Sequence, residues 1–398
     1  MRRAAEVLRQ AGFALRIHRT SAAGSARKLA QAAAREGAEA VIVCGGDGTI
    51  HEAINGLAPG ETMDNLTHTL TGIALSQAGL DRKTRFATLA LIVGSNAPDV
   101  DIVSRLGGSV AYLQYHRGIT HSFLGVTLLA AVLTALIYYP GRRARPKPSA
   151  PPLDGRWLFG VCWIATLGHL LLDFTNAYGI RPFLPFSGRW YAWGIMPIVD
   201  PLLLLVLAAG LGLPVVFRLV SEEVGAAKPG YRRGAIAVLA VLVLLWGLRD
   251  AAHRRVLNLL GSENYGEAAP LRLGAFPTAI NPFAWTGVAE TDSAFYLLGA
   301  SAFDSTVDTD RPEVFHKPES SPALQAALQT PLGRVFSNFA RFPWAQVDAN
   351  EDGFEVRIRD LRFAGSSPQR AVFVATIELD RNLALRSESF SFAGQRTD

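Results

Sequence analysis

Histidine and aspartate recur in four short stretches of this chain at spacings that suit a metal ion. They are Asp64-Asn65-Leu66-Thr67-His68, Asn96-Ala97-Pro98-Asp99-Val100-Asp101, His116-Arg117-Gly118-Ile119-Thr120-His121-Ser122 and Gly168-His169-Leu170-Leu171-Leu172-Asp173. His169 and Asp173 stand in an i, i+4 relation, so on a helix they share one face. His121 sits at the mouth of an apolar run, with His116 a short turn before it, and Asp200, opening another such run, is a fifth candidate. A mixed imidazole and carboxylate set suits zinc, manganese or iron, and carboxylate-rich sites hold one ion or two. Such a cation lowers the pKa of bound water and so equips a site for hydrolysis. Ser122, beside two histidines with a better claim as ligands, is not read as a nucleophile.

The elements that must position these residues are membrane helices. Of 398 residues, 49% are hydrophobic and 18% charged, against roughly 25% charged in soluble domains, and mean hydropathy is +0.20. Apolar runs at 122–139, 157–174, 195–217 and 235–248 are long enough, or nearly so, to span about 30 Å of hydrocarbon. The run at 86–98 is shorter and reads as a re-entrant or partly buried helix. The basic loops 141–156 and 218–233 belong on the cytoplasmic side. That places His116, His121, His169, Asp173 and Asp200 near one outer boundary, although Arg249, Arg254 and Arg255 count against it. Ionisable groups at such a depth cost a few kcal/mol (about 2.5–3.5 at a helix centre) unless paired or lining a cavity, which favours one shared site.

The expected fold is therefore a mainly α-helical integral membrane protein of four or five spans, flanked by two polar parts. Residues 1–62 read as a small α/β fragment: a strand at 13–19, an Ala-rich helix at 23–37, a buried strand at 40–44 and a helix starting at 50–57. Gly45-Gly46-Asp47-Gly48-Thr49 lies between the last two, where glycines let backbone N–H groups approach phosphates at a helix N-terminus. Residues 63–260 form the membrane domain. Residues 261–398 read as an extracytoplasmic α+β domain, with strands at 294–302, 354–358 and 371–379 and helical spacing over 321–339. Asp348 to Gly353 imitates the start of a calcium loop, but Arg359 stands where its final Glu belongs, so the segment is a turn between strands. The net charge of +5 concentrates in loops beside apolar runs and does not point to nucleic acid. Two cysteines, Cys44 and Cys162, exclude a disulfide framework and a cysteine zinc cluster. No cleavable signal peptide is expected, so delivery to the membrane falls to internal spans.

Met63 to Gly72, the Pro98-Asp99-Val100-Asp101 turn, His116 to Ser122 and Gly168 to Asp173 resemble a family of inner-membrane metal-dependent hydrolases, some described as LexA-binding. Pro185-Phe186-Ser187, Asp200-Pro201 and Asn281-Pro282-Phe283-Ala284-Trp285 extend the resemblance over about 63–398. It implies a metal set of His68, Asp99, Asp101, His116, His121, His169 and Asp173, with Asp99, Asp101 and Arg117 in catalysis and Arg117 holding an anionic group. It also implies a bacterial inner-membrane location, lipid surroundings, a lipid or phosphoester substrate and a regulatory protein partner. Val41 to Ile50 resembles the nucleotide signature of diacylglycerol kinases, with Gly45, Gly46, Asp47, Gly48 and Thr49 as the ATP-binding residues. The later parts of that kinase domain are absent, so ATP enters only if the fragment functions. Two competing readings follow: a lipid kinase, and a non-enzymatic regulatory membrane protein whose metal is structural and fully coordinated.

Overall fold

The computed structural model describes residues 16, 18, 20, 25–35, 61–146, 148–224, 230–279, 281–309, 312–364 and 373–391. The chain divides into two units, Met1–Thr67 and His68–Asp398. In the first, α1 (Ser25–Arg35) falls within the helix expected at 23–37. The strands expected at 13–19 and 40–44, the helix at 50–57 and the glycine turn at 45–49 lie wholly or largely outside the described residues.

Seven further helices build the apolar part: α2 (Glu61–Gln77), α3 (Ala87–Gly94), α4 (Gly108–Tyr115), α5 (Phe123–Arg143), α6 (Gly155–Thr175), α7 (Pro201–Val224) and α8 (Tyr231–Gly261). Among the described residues α5, α6 and α8 are long and apolar enough to cross a membrane, whereas α7 contributes the shorter apolar stretch Pro201–Val215. The span expected at 195–217 thus starts later than its hydropathy suggests. Pro201 suits a first helical turn, and Asp200 caps it by accepting from the Leu203 N–H at 2.9 Å. The short span expected at 235–248 is the middle of α8, whose 31 residues reach about 46 Å. At its far end Val256 and Leu260 pack against Ala275, Trp285 and Leu298.

The central helix is α6. Of its apolar window 56% is buried, against 17% for α5 and 22% for α8, so protein covers little of the latter two. The run at 86–98 becomes α3, whose 8 residues cannot span. Ala87, Ala90 and Leu91 pack it against Val161, Cys162 and Ala165. A Cβ on Gly94 would lie 2.8 Å from the Ala165 Cβ, so small residues set this close approach. The chain then tightens into a 3₁₀ stretch, Ala97–Gly107, with Pro98 in its first turn.

Beyond α8 lie two antiparallel four-stranded sheets, ordered β1-β2-β3-β4 and β5-β6-β7-β8. The first comprises β1 (Arg272–Pro277), β2 (Ala284–Glu290), β3 (Ala294–Ser301) and β4 (Glu313–His316). The second comprises β5 (Pro343–Asn350), β6 (Gly353–Asp360), β7 (Val374–Asp380) and β8 (Leu385–Ser391), preceded by α9 (Pro322–Gln329) and α10 (Pro331–Phe339). The helical stretch expected over 321–339 is thus two helices. Pro331 forbids continuation, and Thr330 caps the second by accepting from the Gly333 N–H at 3.1 Å. The calcium-like segment is the β5–β6 hairpin. Leu113 and Tyr178 join the core of the second sheet with Phe336, Phe339 and Ile358, which brings this domain up to the His/Asp cluster.

Candidate metal centre

Three local devices bring the histidines and aspartates together. The 3₁₀ stretch after α3 carries Asp99 and Asp101. A second 3₁₀ turn, Ile119–His121, presents His121 just before α5. It packs directly on the first turn of that helix, because a Cβ on Gly125 would fall 1.7 Å from the Ile119 carbonyl oxygen. Ser122 caps α5 by accepting from the Gly125 N–H at 2.9 Å, which accounts for its hydroxyl. The third device is the last turns of α6, which place His169 and Asp173 on one buried face.

One ligand atom from each of Asp99, His121, His169 and Asp173 lies within 4.8 Å of all the others. The two imidazole Nε2 atoms face each other at 3.0 Å. Asp99 Oδ1 is 3.4 Å from both, and Asp173 Oδ2 is 3.2 Å from His121 Nε2 and 3.5 Å from His169 Nε2. The far side of each ring explains this aim. His169 Nδ1 donates to the Ser95 carbonyl at 2.7 Å, and His121 Nδ1 lies 3.1 Å from Asp101 Oδ2. A ring whose Nδ1–H is so engaged carries its lone pair on Nε2, the arrangement of metal-binding histidines backed by a carbonyl or carboxylate. Two such lone pairs facing each other at 3.0 Å repel unless a proton or a cation lies between them.

The remaining expected residues surround this group. His68, on α2, stacks on the His169 ring with centroids 3.8 Å apart, and its Nε2 is 3.4 Å from Asp173 Oδ1. It therefore reaches the site, which α3 permits by not spanning. Asp101 stands behind the cluster: Oδ1 meets His116 Nδ1 at 3.0 Å, and Oδ2 accepts from the Arg117 N–H at 2.8 Å and the Thr120 hydroxyl at 2.9 Å. His116 faces Asp101 and stacks on Tyr112, outside the group of four. Arg117, at a left-handed φ of 51°, directs its guanidinium to Asp173 Oδ1 and Asn176 Oδ1, each at 3.0 Å, and over the Tyr178 ring. Asp200 is not part of the cluster; it pairs with Arg249 at 2.7 Å. Sequence reading overlooked Ser95, Asn176 and Tyr178. Ser95 contributes only a backbone carbonyl and so leaves no signal, whereas Asn176, polar and just past the Asp173 turn, was legible as a candidate.

The donor set fits a divalent cation. Three carboxylates (Asp99, Asp101, Asp173) against the Arg117 guanidinium leave two negative charges beside neutral imidazoles, which one divalent ion neutralises. The Asp99 side chain is 22% exposed while His121, His169 and Asp173 are at most 1% exposed, so access is from the Asp99 side.

Without a cation the site is held by protons. Burial alone would lower the His121 pKa, but hydrogen bonds to Asp101, Asp173 and Asp99 hold it well above its usual value. Burial alone would raise Asp99 and Asp101, yet their histidine partners hold both carboxyls well below the usual range. A cation must therefore displace a proton from His121, while the two aspartates are already ionised. Metal affinity is expected to rise with pH through neutrality, by about tenfold per unit for one displaced proton, and to be lost as pH falls. Metal-binding titrations at several pH values check the slope. Asp101→Asn, which weakens the group behind His121, is expected to lower affinity by about 10–100-fold while leaving the fold intact, as partners behind a ligand commonly do. Competition against a fluorescent chelator measures it.

Three stretches of the chain match known families. Residues 63–256 match the YdjM inner membrane protein family, residues 1–75 the diacylglycerol kinase catalytic domain, and residues 322–395 the YfhP C-terminal alpha/beta plait domain. The uncharacterised protein YfhP of Bacillus subtilis is 28% identical over 336 residues, which cover 82% of this chain and 94% of YfhP. A diacylglycerol kinase of the same organism is 48% identical over 50 residues, 16% of that kinase's length, so the kinase-like part is truncated. No solved structure matches. The His/Asp cluster thus lies inside the stretch 63–256 that is similar to the YdjM inner membrane protein family, between a stretch similar to a diacylglycerol kinase catalytic domain and one similar to the YfhP C-terminal plait.

Proposed function

We propose that this protein is a hydrolase of the cytoplasmic membrane that uses one divalent cation, zinc, manganese or iron, held by Asp99, His121, His169 and Asp173. The observation that carries this reading is the convergence of four ligand atoms whose two imidazoles have their Nε2 lone pairs fixed by Ser95 and Asp101. A divalent cation there supplies Lewis acidity toward water and toward a phosphoryl or carbonyl oxygen.

The chain's own residues do the rest. Asp101 keeps His121 in the tautomer that exposes Nε2. Arg117 holds Asp173 and offsets its charge. His68, stacked on His169 and with its Nε2 3.4 Å from Asp173 Oδ1, packs against the cluster and orients the His169 ring. The buried side excludes water, so substrate approaches past Asp99. A phosphoester, a lipid phosphoester in particular, is the substrate class that suits a cationic centre opening at a membrane boundary. The basic loops 141–156 and 218–233 favour a cytoplasmic position for themselves, which supports an outer position for the cluster and the C-terminal sheets.

Detergent-purified protein, metal-loaded, should hydrolyse members of a phosphomonoester and phosphodiester panel, and His169→Ala should not. Metal binding without turnover across that panel would favour the regulatory reading. Failure to bind zinc, manganese or iron after reconstitution would sink the proposal.

A further inference from the structure

A second charged site lies in the C-terminal half. An open cavity of about 690 Å³ is lined by Arg189, Trp190, Arg272, Asn338, Phe339 and Arg341, among others. Its walls come from the loop after α6, from β1, and from the end of α10 with the residues that follow. The volume is that of a small-molecule site, and among the named lining groups the charges are all positive.

Those charges are poorly offset. Among the described residues the guanidinium groups of Arg341 and Arg189 make no ion pair with a carboxylate: the Arg341 backbone N–H donates to Asp360 Oδ2 at 3.0 Å, but its Nη2 reaches the Ala192 carbonyl, at 3.5 Å. The nearest acid to Arg341, Asp360, is already committed to Arg362 at 2.7 Å. Arg272 touches Glu290 at 3.4 Å, but that carboxylate is shared with Lys317 at 2.8 Å. Burial first, and then the neighbouring Arg362, Arg272 and Arg189, pull the Arg341 pKa down to about 10, against a partial counter-effect from Asp360. Like charges gathered at such a cost call for an anion. Trp190 Nε1 donates to Asn338 Oδ1 at 3.1 Å, which fixes the amide and leaves its NH₂ as the donating end. Planar guanidinium forks with an added amide donor suit the oxygens of a phosphoryl group. The same loop carries Phe186, 89% exposed, and Phe183, 46% exposed, a few residues before Arg189. Phe183 packs edge-on against Phe123, the first residue of α5, with centroids 5.7 Å apart, so these exposed apolar rings lie at the end of a helix long and apolar enough to cross a membrane.

We infer that this arginine-lined cavity binds a phosphoryl anion, separate from the His/Asp cluster and independent of its hydrolytic reading. The exposed phenylalanines favour an anionic lipid headgroup as the source, with free phosphate as the alternative source of the same chemistry.

Two arms test this on the full-length protein. In neutral detergent, inorganic phosphate is titrated calorimetrically. In nanodiscs, thermal unfolding is compared between phosphatidylcholine alone and phosphatidylcholine with phosphatidylglycerol. Arg341→Gln, which removes a charged donor, should weaken phosphate binding by about tenfold and shrink the lipid-dependent shift. The exposed Arg189→Gln should reduce the response in the same direction and keeps the test open if the first variant folds poorly. His169→Ala should retain the full response, which separates this cavity from the cluster. A variant-sensitive response in the phosphatidylglycerol arm alone assigns a headgroup, and one with free phosphate assigns the soluble anion. No response in either arm, a response untouched by both arginine variants, or one lost in His169→Ala overturns the inference.

Discussion

His169→Ala protein is expected to come through purification and dialysis against buffered zinc, manganese or iron essentially free of metal, while wild type retains about one equivalent. Groups that merely back a ligand are worth about 10–100-fold in affinity, so loss of a ligand itself should exceed about a hundredfold. His169 is decisive because its two nitrogens are both engaged: Nδ1 on the Ser95 carbonyl, Nε2 in the group of four. Alanine removes a donor atom and leaves the facing Nε2 of His121 without its counterpart. A second readout comes from linkage. A cation present at about 100 times its dissociation constant stabilises the folded protein by about 2.7 kcal/mol. That metal-dependent rise in unfolding temperature should be present in wild type and in Asp200→Asn, and absent in His169→Ala. Mass-spectrometric metal content together with thermal unfolding checks both. Retention of stoichiometric metal by His169→Ala would remove the cluster from the metal reading altogether.

Much of this centre was legible in the sequence because its ligands sit in tight local patterns. The i, i+4 pair His169 and Asp173, and the Asp99 and Asp101 turn, declare themselves by spacing alone. Which of them converge was not legible. Asp101 and His116 have the same residue types and nearly the same spacing as the ligands. Only the direction of the 3₁₀ stretch Ala97–Gly107 turns Asp99 toward the cluster and Asp101 toward the back of His121. The strands at β3, β6 and β7 were legible, β6 by its alternation of Phe354, Val356 and Ile358 with charged residues, whereas β8 carries Arg386, Ser387 and Glu388 and offers little such signal. Hydropathy located the long apolar helices but misplaced their ends. It reads Ile195 as part of a helix, although that residue belongs to the loop before the Asp200 cap. It also stops α8 at Leu248, because Arg249 and Asp250 break the apolar run without breaking the helix.

Arg249 also carries the other large expected effect. On charge count alone, Arg249, Arg254 and Arg255 argue for a cytoplasmic end to α8. All three are engaged by protein groups instead: Arg249 by Asp200 at 2.7 Å, Arg254 by Asp250 at 2.8 Å, and Arg255 by the Ala302 carbonyl at 2.7 Å. The Arg249 and Asp200 side chains are both 3% exposed, and they join the start of α7 to the middle of α8 above a core of Leu203, Leu207, Val238 and Leu242. Breaking such a pair from one side strands a buried charge, so Arg249→Met should cost about 3–5 kcal/mol. Asp200→Asn keeps an oxygen to cap the Leu203 N–H but strands the Arg249 cation, so it should also be strongly destabilising. The double variant, with neither charge left, should recover most of the Arg249→Met loss, because a buried pair replaced by neutral groups of similar volume is often close to isoenergetic. A double-mutant cycle on reversible unfolding in mixed micelles measures the coupling. Additive losses would mean that Arg249 is anchored by something other than Asp200. Metal content unchanged across the cycle would separate this helix clamp from the His/Asp centre, since Asp200 shares the residue type and the expected membrane depth of the ligands but spends its carboxylate on α8.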